Sequence, residues 1–589
     1  MTTYQETIQS IKEHLSTGQK RKMVWLAGLI FVQGVLDVFG LGLILPIIKI
    51  ASDPLVVADN KYYMGDIYHW LGFTSVNTFI LFIVLSVLVF YILKTIFGLF
   101  VSWILARYTT EVAIYITKNQ YDKYYSLSYT DFTNIKSSII TMHVFINPSS
   151  YMAWIINPLI IIFSEGVIVL IMVISIILFN FTLFMCILAT VGPATWLIYY
   201  SLKNKSSVHG RELDKVIPKV YASLNNSVYG YTDVKLAGKE NDFRQEYMEH
   251  VSKYHDLTQK SAFLGLVPMR GYEIVAMLGI VVIFVYILFI SASNISSAVL
   301  LVGLFAAAAY RLMPSMNRIV GNLMYIKRSQ SSVANLNYYK EAIPGRKPVI
   351  EDLPIEFNHT IEFKNISYRF PGEGQYVLKN INLNIKKGEK VGFVGPSGSG
   401  KTTLINLLLR FIEEESGEIL VDGVKLNDNN LRNWRRHIGY VKQDIFILDG
   451  SIKENIAFGD SEVNEERLWR AVTQASLSDL VKSLPDGVNS EVGEKGSRLS
   501  GGQRQRIGIA RALYRDAEIL VFDEATSALD NETEAEVTEA IDKLSDTNKT
   551  IFVIAHRITT LKNCNRIYEL KNGTIGGVHS YEELLERIM

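Results

Sequence analysis

Long apolar runs fill the first 335 residues, and after that they stop. With their polar, helix-patterned extensions the runs cover about residues 23–51, 76–106, 139–179, 181–225, 240–290 and 295–335. Each exceeds the roughly 20 residues that an α-helix needs to cross a bilayer, so the pattern predicts an all-α domain of six membrane spans. Residues 1–22 place Ile8, Ile11 and Leu15 at helical spacing ahead of Lys20, Arg21 and Lys22, which predicts a short helix on the inner membrane surface. That basic cluster puts the N-terminus inside. An even number of spans then returns the chain to the same side, so the long polar stretches and everything after residue 335 are cytoplasmic. The first outer segment, residues 52–75, sets Tyr62, Tyr63, Ile67, Trp70 and Leu71 roughly on one helical face. An interfacial helix and a solvated loop both fit it.

From residue 355 to 589 the period changes: short apolar strands alternate with helical segments, the signature of an α/β domain, with residues 336–354 as the linker. Its most informative stretch is KVGFVGPSGSGKTT, residues 390–403. An apolar strand runs into a glycine-rich turn and then into the helix TLINLLLRF, with Gly395, Gly400, Lys401 and Thr402 filling G-x-x-x-x-G-K-[ST]. Pro396, Ser397, Gly398, Ser399 and Thr403 complete the loop. Such a loop lets backbone N–H groups converge on a polyphosphate at a helix N-terminus. Lys401 can reach the outer phosphates, and the Thr402 hydroxyl can ligate Mg²⁺.

Composition narrows the field. A formal net charge of +1 argues against a nucleic-acid partner held by overall electrostatics. Cys186 and Cys564 fall in different halves, so neither a disulfide framework nor a zinc site is implied. No cleavable leader is expected, because the first twenty residues are polar and the run after Lys22 is too long for one.

Charges within spans cost roughly 2.5 to 3.5 kcal/mol each on insertion scales and call for a reason. Lys94 lies well inside the second span, Arg270 and Glu273 share a face of the fifth, and Arg311 and Arg318 lie seven residues apart in the sixth, near Pro314 and Asn317. Two readings are open. Arg270 and Glu273 neutralise each other while the arginines snorkel to headgroups, or the cations form a basic stripe lining a cavity for an anionic, phosphate-bearing substrate.

Five motifs in order, Gly395–Thr402, Gln443 in GYVKQD, LSGGQ at 499–503, ILVFDEA at 519–525 with SALD at 527–530, and AHR at 555–557, resemble the nucleotide-binding domain of ABC transporters over about 235 residues. The resemblance implies ATP and Mg²⁺ as cofactors. It assigns adenine stacking to Phe370, with Tyr368 as the competing candidate, and Mg²⁺ binding to Thr402, Gln443 and Asp523. Glu524 becomes the base that orients water, with His556 and Gln443 completing the hydrolytic set. Ser500, Gly501, Gly502, Gln503 and Asp530 would close over ATP held by a second domain. One site half of each kind and six spans imply a homodimer of the ABC exporter type.

The membrane half resembles bacterial lipid-linked oligosaccharide flippases in PIIKIASDP, NKYYMGDIYHWL, LVFYILK and AAYRLMPSMNRI. That implies export of a polyprenyl-pyrophosphate oligosaccharide across the bacterial inner membrane for protein glycosylation, with Lys94, Arg311 and Arg318 at matching positions. Arg270 departs from the pattern, standing one place late relative to the proline of VPMRGYE. An exporter of peptides, lipids or drugs is the alternative. A drug exporter would have a more apolar cavity, indifferent to alanine at Arg311 and Arg318.

Overall fold

The structure, a computed structural model, describes residues 3–43, 64–179, 181–286, 295–330, 333–336, 352–525, 531–545, 548–555 and 557–588. The chain divides into two units: Met1–Leu127 with Asp131–Gly345, and Ser128–Thr130 with Arg346–Met589.

The first unit is helical. Helix α1 (Thr3–His14) precedes α2 (Thr17–Gly42), whose start is fixed by a capping box: Ser16 N–H donates to Gln19 Oε1 at 2.9 Å, and Gln19 N–H to Ser16 Oγ at 3.3 Å. The expected N-terminal helix is present, but its packing differs from a simple surface helix. Ser10 and Leu15 are buried, with the Ser10 hydroxyl donating to Tyr151 Oη at 3.1 Å, whereas Ile8 is exposed. Of the first outer segment, Met64–Trp70 forms a short helix with Trp70 exposed, and residues 44–63 lie outside the described set.

Helix α3 (Val76–Tyr125) runs 50 residues, well past the expected end of its span near residue 106, because no proline or helix-ending glycine interrupts its polar extension. Leu88, Ile92, Ile96 and Leu99 are all more than half exposed. An apolar helix face left this open is suited to lipid. The third span, Ser138–Leu178, contains two π-helical turns, Met142–Ile146 and Met152–Ile156, leading into α4 (Asn157–Phe179). Each turn immediately precedes an Asn-Pro pair, 147–148 and 157–158. A proline offers no N–H to the i−4 carbonyl, and the ladder slips so that Asn147 N–H reaches Met142 O and Asn157 N–H reaches Met152 O. Helices α5 (Phe181–Tyr229), α6 (Glu240–Tyr286) and α7 (Ile295–Arg328) follow. Five helices among the described residues are long and apolar enough to cross a membrane, and α7 stands where the sixth span is expected. Met172, Tyr272, Phe305 and Leu312 share one buried cluster, in which the Tyr272 hydroxyl donates to Thr195 Oγ1 at 2.9 Å.

The second unit is α/β. An antiparallel sheet of order β2-β1-β4-β5 is built from β1 (Thr360–Tyr368), β2 (Leu378–Lys386), β4 (Ser416–Val421) and β5 (Val424–Lys425). A six-stranded sheet contains β3 (Lys390–Val394), β6 (Ile438–Val441), β7 (Ile519–Asp523), β8 (Thr550–Ile554), β9 (Arg566–Lys571) and β10 (Thr574–His579), in the order β10-β9-β3-β8-β7-β6. Within it β9, β3, β8, β7 and β6 are parallel, and β8 is buried along its entire length, as strands covered on both faces are. Helices α8 (Lys401–Leu408) and α9 (Gly501–Tyr514) leave from loops after β3 and ahead of β7.

Candidate functional site

Parallel pairing brings the carboxyl ends of β3, β8, β7 and β6 to one edge, where ligands of open α/β sheets bind. The loop from β3 to α8 starts there. Gly395 has φ +148° and Gly400 φ +102°, and a Cβ at Gly395 would meet Leu570 O at 2.2 Å, while one at Gly400 would meet Leu378 Cδ2 at 2.6 Å. Only glycine follows this path. Lys401 is buried at the start of α8, its ammonium donating to Gly395 O at 2.8 Å and Pro396 O at 3.1 Å, so it braces the loop that it would help to fill. Burial holds that ammonium below the ordinary lysine range, opposed by the nearby Glu524 and Asp523 carboxylates. Ser399 Oγ is buried with no hydrogen-bond partner among the described residues. A buried hydroxyl left open in a glycine-rich cradle at a helix N-terminus fits a phosphate ligand.

Asp523 ends β7. Burial raises its carboxyl above the ordinary aspartate range, a hydrogen bond from Tyr440 opposes the rise, and the Glu524 charge adds to it. The Tyr440 hydroxyl donates to Asp523 Oδ2 at 2.8 Å because β6 pairs directly with β7, Tyr440 opposite Val521. Nothing in GYVKQD marks this tyrosine out; only the strand order does. Glu524 adopts a left-handed backbone, φ +53°, and its N–H donates to Ile554 O at 3.1 Å. A non-glycine residue held there costs on the order of 1 kcal/mol and is typical of functional sites.

Asp523 must be ionised to hold a cation, and a raised pKa means that it takes up a proton, and loses that ability, at a higher pH. Tyr440→Phe removes the interaction that lowers this pKa. The acid limb of ATPase activity is expected to move to higher pH, with the Mg²⁺ requirement rising about tenfold, the worth of one hydrogen bond to a charged group. Unchanged pH profiles in the two proteins would refute that role for the tyrosine.

Of the remaining sequence candidates, Phe370 is 38 % exposed and Tyr368 5 %, their rings edge-to-face at 5.3 Å. Only Phe370 offers a ring face to a ligand. Ser500 caps α9 through a capping box with Gln503: Ser500 N–H donates to Gln503 Oε1 at 2.9 Å, and Gln503 N–H to Ser500 Oγ at 3.2 Å. Gly501 and Gly502 open the helix behind them. The carbonyl of Gln443 accepts from Gln505 Nε2 at 2.6 Å, and Arg511 of α9 donates to Phe446 O and Asn455 O, so one helix fastens the loop after β6. Gln505 was not singled out from sequence, lying just past the recognised motif. Asp530 and His556 lie outside the described residues.

In the first unit the expected basic stripe has carboxylates in it. Lys94 Nζ lies 2.7 Å from Asp37 Oδ1, Arg311 lies 3.2 Å from Asp37 Oδ2, and Arg318 lies 2.6 Å from Glu165 Oε1. Lys94 and Arg311 are thus brought together through one carboxylate. Arg270 is not drawn into this group: it pairs with Glu273 of its own helix at 2.8 Å, both side chains exposed. Asp37 and Glu165 are lone acids within apolar runs, and the reasoning applied to the cations would have flagged them.

A glycine-rich phosphate cradle on a parallel sheet, carried by a chain with five membrane-length helices among its described residues, defines a membrane-bound P-loop nucleotide-binding protein. Residues 378–527 match the ABC transporter family. The ATP-dependent lipid A-core flippase of Francisella novicida is 33 % identical over 406 residues, 68 % of each protein. That of Ralstonia nicotianae is 47 % identical over 230 residues, so the match spans 38 % of this chain and only 39 % of that protein. A bacterial Atm1-family ABC exporter with ATP bound has the same fold, with a TM-score of 0.77 at 23 % identity, over 98 % of this chain and 97 % of the other. The chain belongs to the ABC transporter family, with an all-α membrane domain of the exporter type fused to an α/β ATP-binding domain.

Proposed function

We propose that this chain works as a homodimer that hydrolyses ATP and flips a polyprenyl-pyrophosphate-linked oligosaccharide from the cytoplasmic to the outer leaflet of the bacterial inner membrane, supplying protein glycosylation. The observation that carries the choice of an anionic lipid is the placement of Lys94 within a membrane-length helix and of Arg311 and Arg318 within α7, where the sixth span is expected, with two carboxylates for three cations. Guanidinium groups match phosphate oxygens, and charges kept at that depth are usually functional.

At the soluble unit, Lys401 and the loop from Gly395 to Thr403 hold the phosphates, Phe370 stacks on the adenine, and Thr402, Asp523 and Gln443 offer the hard oxygen donors that Mg²⁺ prefers. When bound, Mg²⁺ neutralises phosphate charge. Glu524 orients the attacking water, the family resemblance assigns His556 to the γ-phosphate, and Ser500 to Gln503 with Asp530 close the site from the partner chain. Closure of the two ATP-binding domains then drives alternating access in the membrane helices, and hydrolysis resets it.

A second reading is a lipid A-core type of cargo, which the Ralstonia and Francisella relatives favour. Purified chain in phosphatidylcholine nanodiscs separates the two. An undecaprenyl-pyrophosphate glycan is expected to stimulate ATPase activity saturably and lipid A to leave it at the basal rate. Stimulation by lipid A alone would put the second reading in place of the first.

A further inference from the structure

Two kinds of ion pair hold the intramembrane charges, and they differ in stoichiometry. Arg318 and Glu165 form a one-to-one pair with Glu165 buried. That pair is neutral, with Glu165 Oε2 buried and without a hydrogen-bond partner among the described residues. Asp37, by contrast, divides its two carboxylate oxygens between two cations from different helices, Oδ1 to Lys94 of α3 and Oδ2 to Arg311 of α7, and leaves one net positive charge. The Lys94 ammonium also rests over the Tyr91 ring at 4.9 Å, so its position is braced independently of the carboxylate. All three charged side chains keep partial access, 19 % for Lys94, 16 % for Asp37 and 26 % for Arg311.

We infer that Asp37 is an internal anion occupying a headgroup site formed by Lys94 and Arg311, and that a phosphate-bearing lipid headgroup binds there by exchanging with it. A phosphate presents the same feature as the carboxylate, two anionic oxygens at close spacing, and accepts from an ammonium and a guanidinium together. The carboxylate keeps both cations positioned while no cargo is present. Entry of the headgroup unties α2 from α3 and α7, so loading is sensed as the loss of a tether between three helices. Asp37 is therefore a positioning and specificity residue: it admits anions that outcompete one carboxylate and gives an uncharged lipid nothing to exchange.

The inference rests on the anionic-lipid reading above, and the test separates the two. Binding of hexadecyl phosphate, of hexadecanol and of an undecaprenyl-pyrophosphate glycan is measured on the full chain in phosphatidylcholine nanodiscs. Asp37→Asn is expected to bind hexadecyl phosphate three- to tenfold tighter than the unchanged chain, Asp37→Glu to stay within twofold, and hexadecanol to bind all three alike. A folded Asp37→Asn protein, with ATP binding intact, that binds hexadecyl phosphate no tighter overturns the inference. If two uncompensated cations prevent folding, Asp37→Asn combined with Lys94→Gln keeps the net charge and removes the internal competitor. It is expected to bind at least threefold tighter than Lys94→Gln alone, which keeps Asp37 on Arg311, and equal affinity of these two variants overturns the exchange. Tighter hexadecyl phosphate binding with no binding of the glycan lipid upholds the site and refutes the cargo; glycan-lipid binding that Asp37→Asn leaves unaltered, with hexadecyl phosphate also unaltered, does the reverse.

Discussion

Lys401→Ala is expected to weaken ATP binding by about two orders of magnitude and to bring hydrolysis below detection. The ammonium does two jobs. In the structure it bonds Gly395 O and Pro396 O from inside the loop, and in the proposed nucleotide site it would reach the outer phosphates. A hydrogen bond to a charged group is worth about 1.5 to 3 kcal/mol, so its loss alone accounts for a factor of roughly 10 to 150. Lys401→Arg should not rescue binding, since a planar guanidinium does not fit a seat formed by two carbonyls six residues or fewer away along the loop. Titration with a fluorescent ATP analogue reads both effects, and binding retained in Lys401→Ala would contradict the assignment of this loop.

Glu524→Gln is expected to retain ATP binding while hydrolysis falls by a factor of about 10² to 10⁴, the usual contribution of a positioned general base. The sign of a secondary effect is also set. Glu524 raises the pKa of Asp523 through charge repulsion, so a neutral glutamine lets Asp523 ionise more readily and strengthens its hold on Mg²⁺. The variant should therefore bind Mg²⁺-ATP slightly tighter and remain loaded. Single-turnover hydrolysis alongside equilibrium binding checks the pair of outcomes, and a parallel loss of both would place Glu524 in binding rather than in chemistry.

The phosphate loop was legible because its chemistry depends on backbone path and spacing within a dozen residues, and glycine at 395 and 400 records that path directly. The same holds for Ser500 and Gln503, whose spacing is that of a capping box as well as of a recognised motif. Tyr440 was not legible, since its role comes from the pairing of β6 with β7, strands separated by some eighty residues. The sequence left two readings of the intramembrane cations open, and it offered partners only for Arg270, because charge counting along one helix ignores what neighbouring helices contribute. Asp37 arrives from α2 and Glu165 from α4, and tertiary packing alone assigns them to Lys94, Arg311 and Arg318. Helix limits behaved similarly: α3 extends to Tyr125 because hydropathy marks where lipid ends, and helical hydrogen bonding does not stop there.

The central claim is ATP-driven movement of a phosphate-bearing glycolipid through a charged membrane path. Its most direct test is translocation of a fluorescent undecaprenyl-pyrophosphate glycan in proteoliposomes, comparing the unchanged chain with Glu524→Gln and with Arg311→Ala plus Arg318→Ala. The account predicts flipping by the unchanged chain alone, with the double-arginine variant still hydrolysing ATP at its basal rate. Hydrolysis by the unchanged chain with this lipid left in its original leaflet would contradict it.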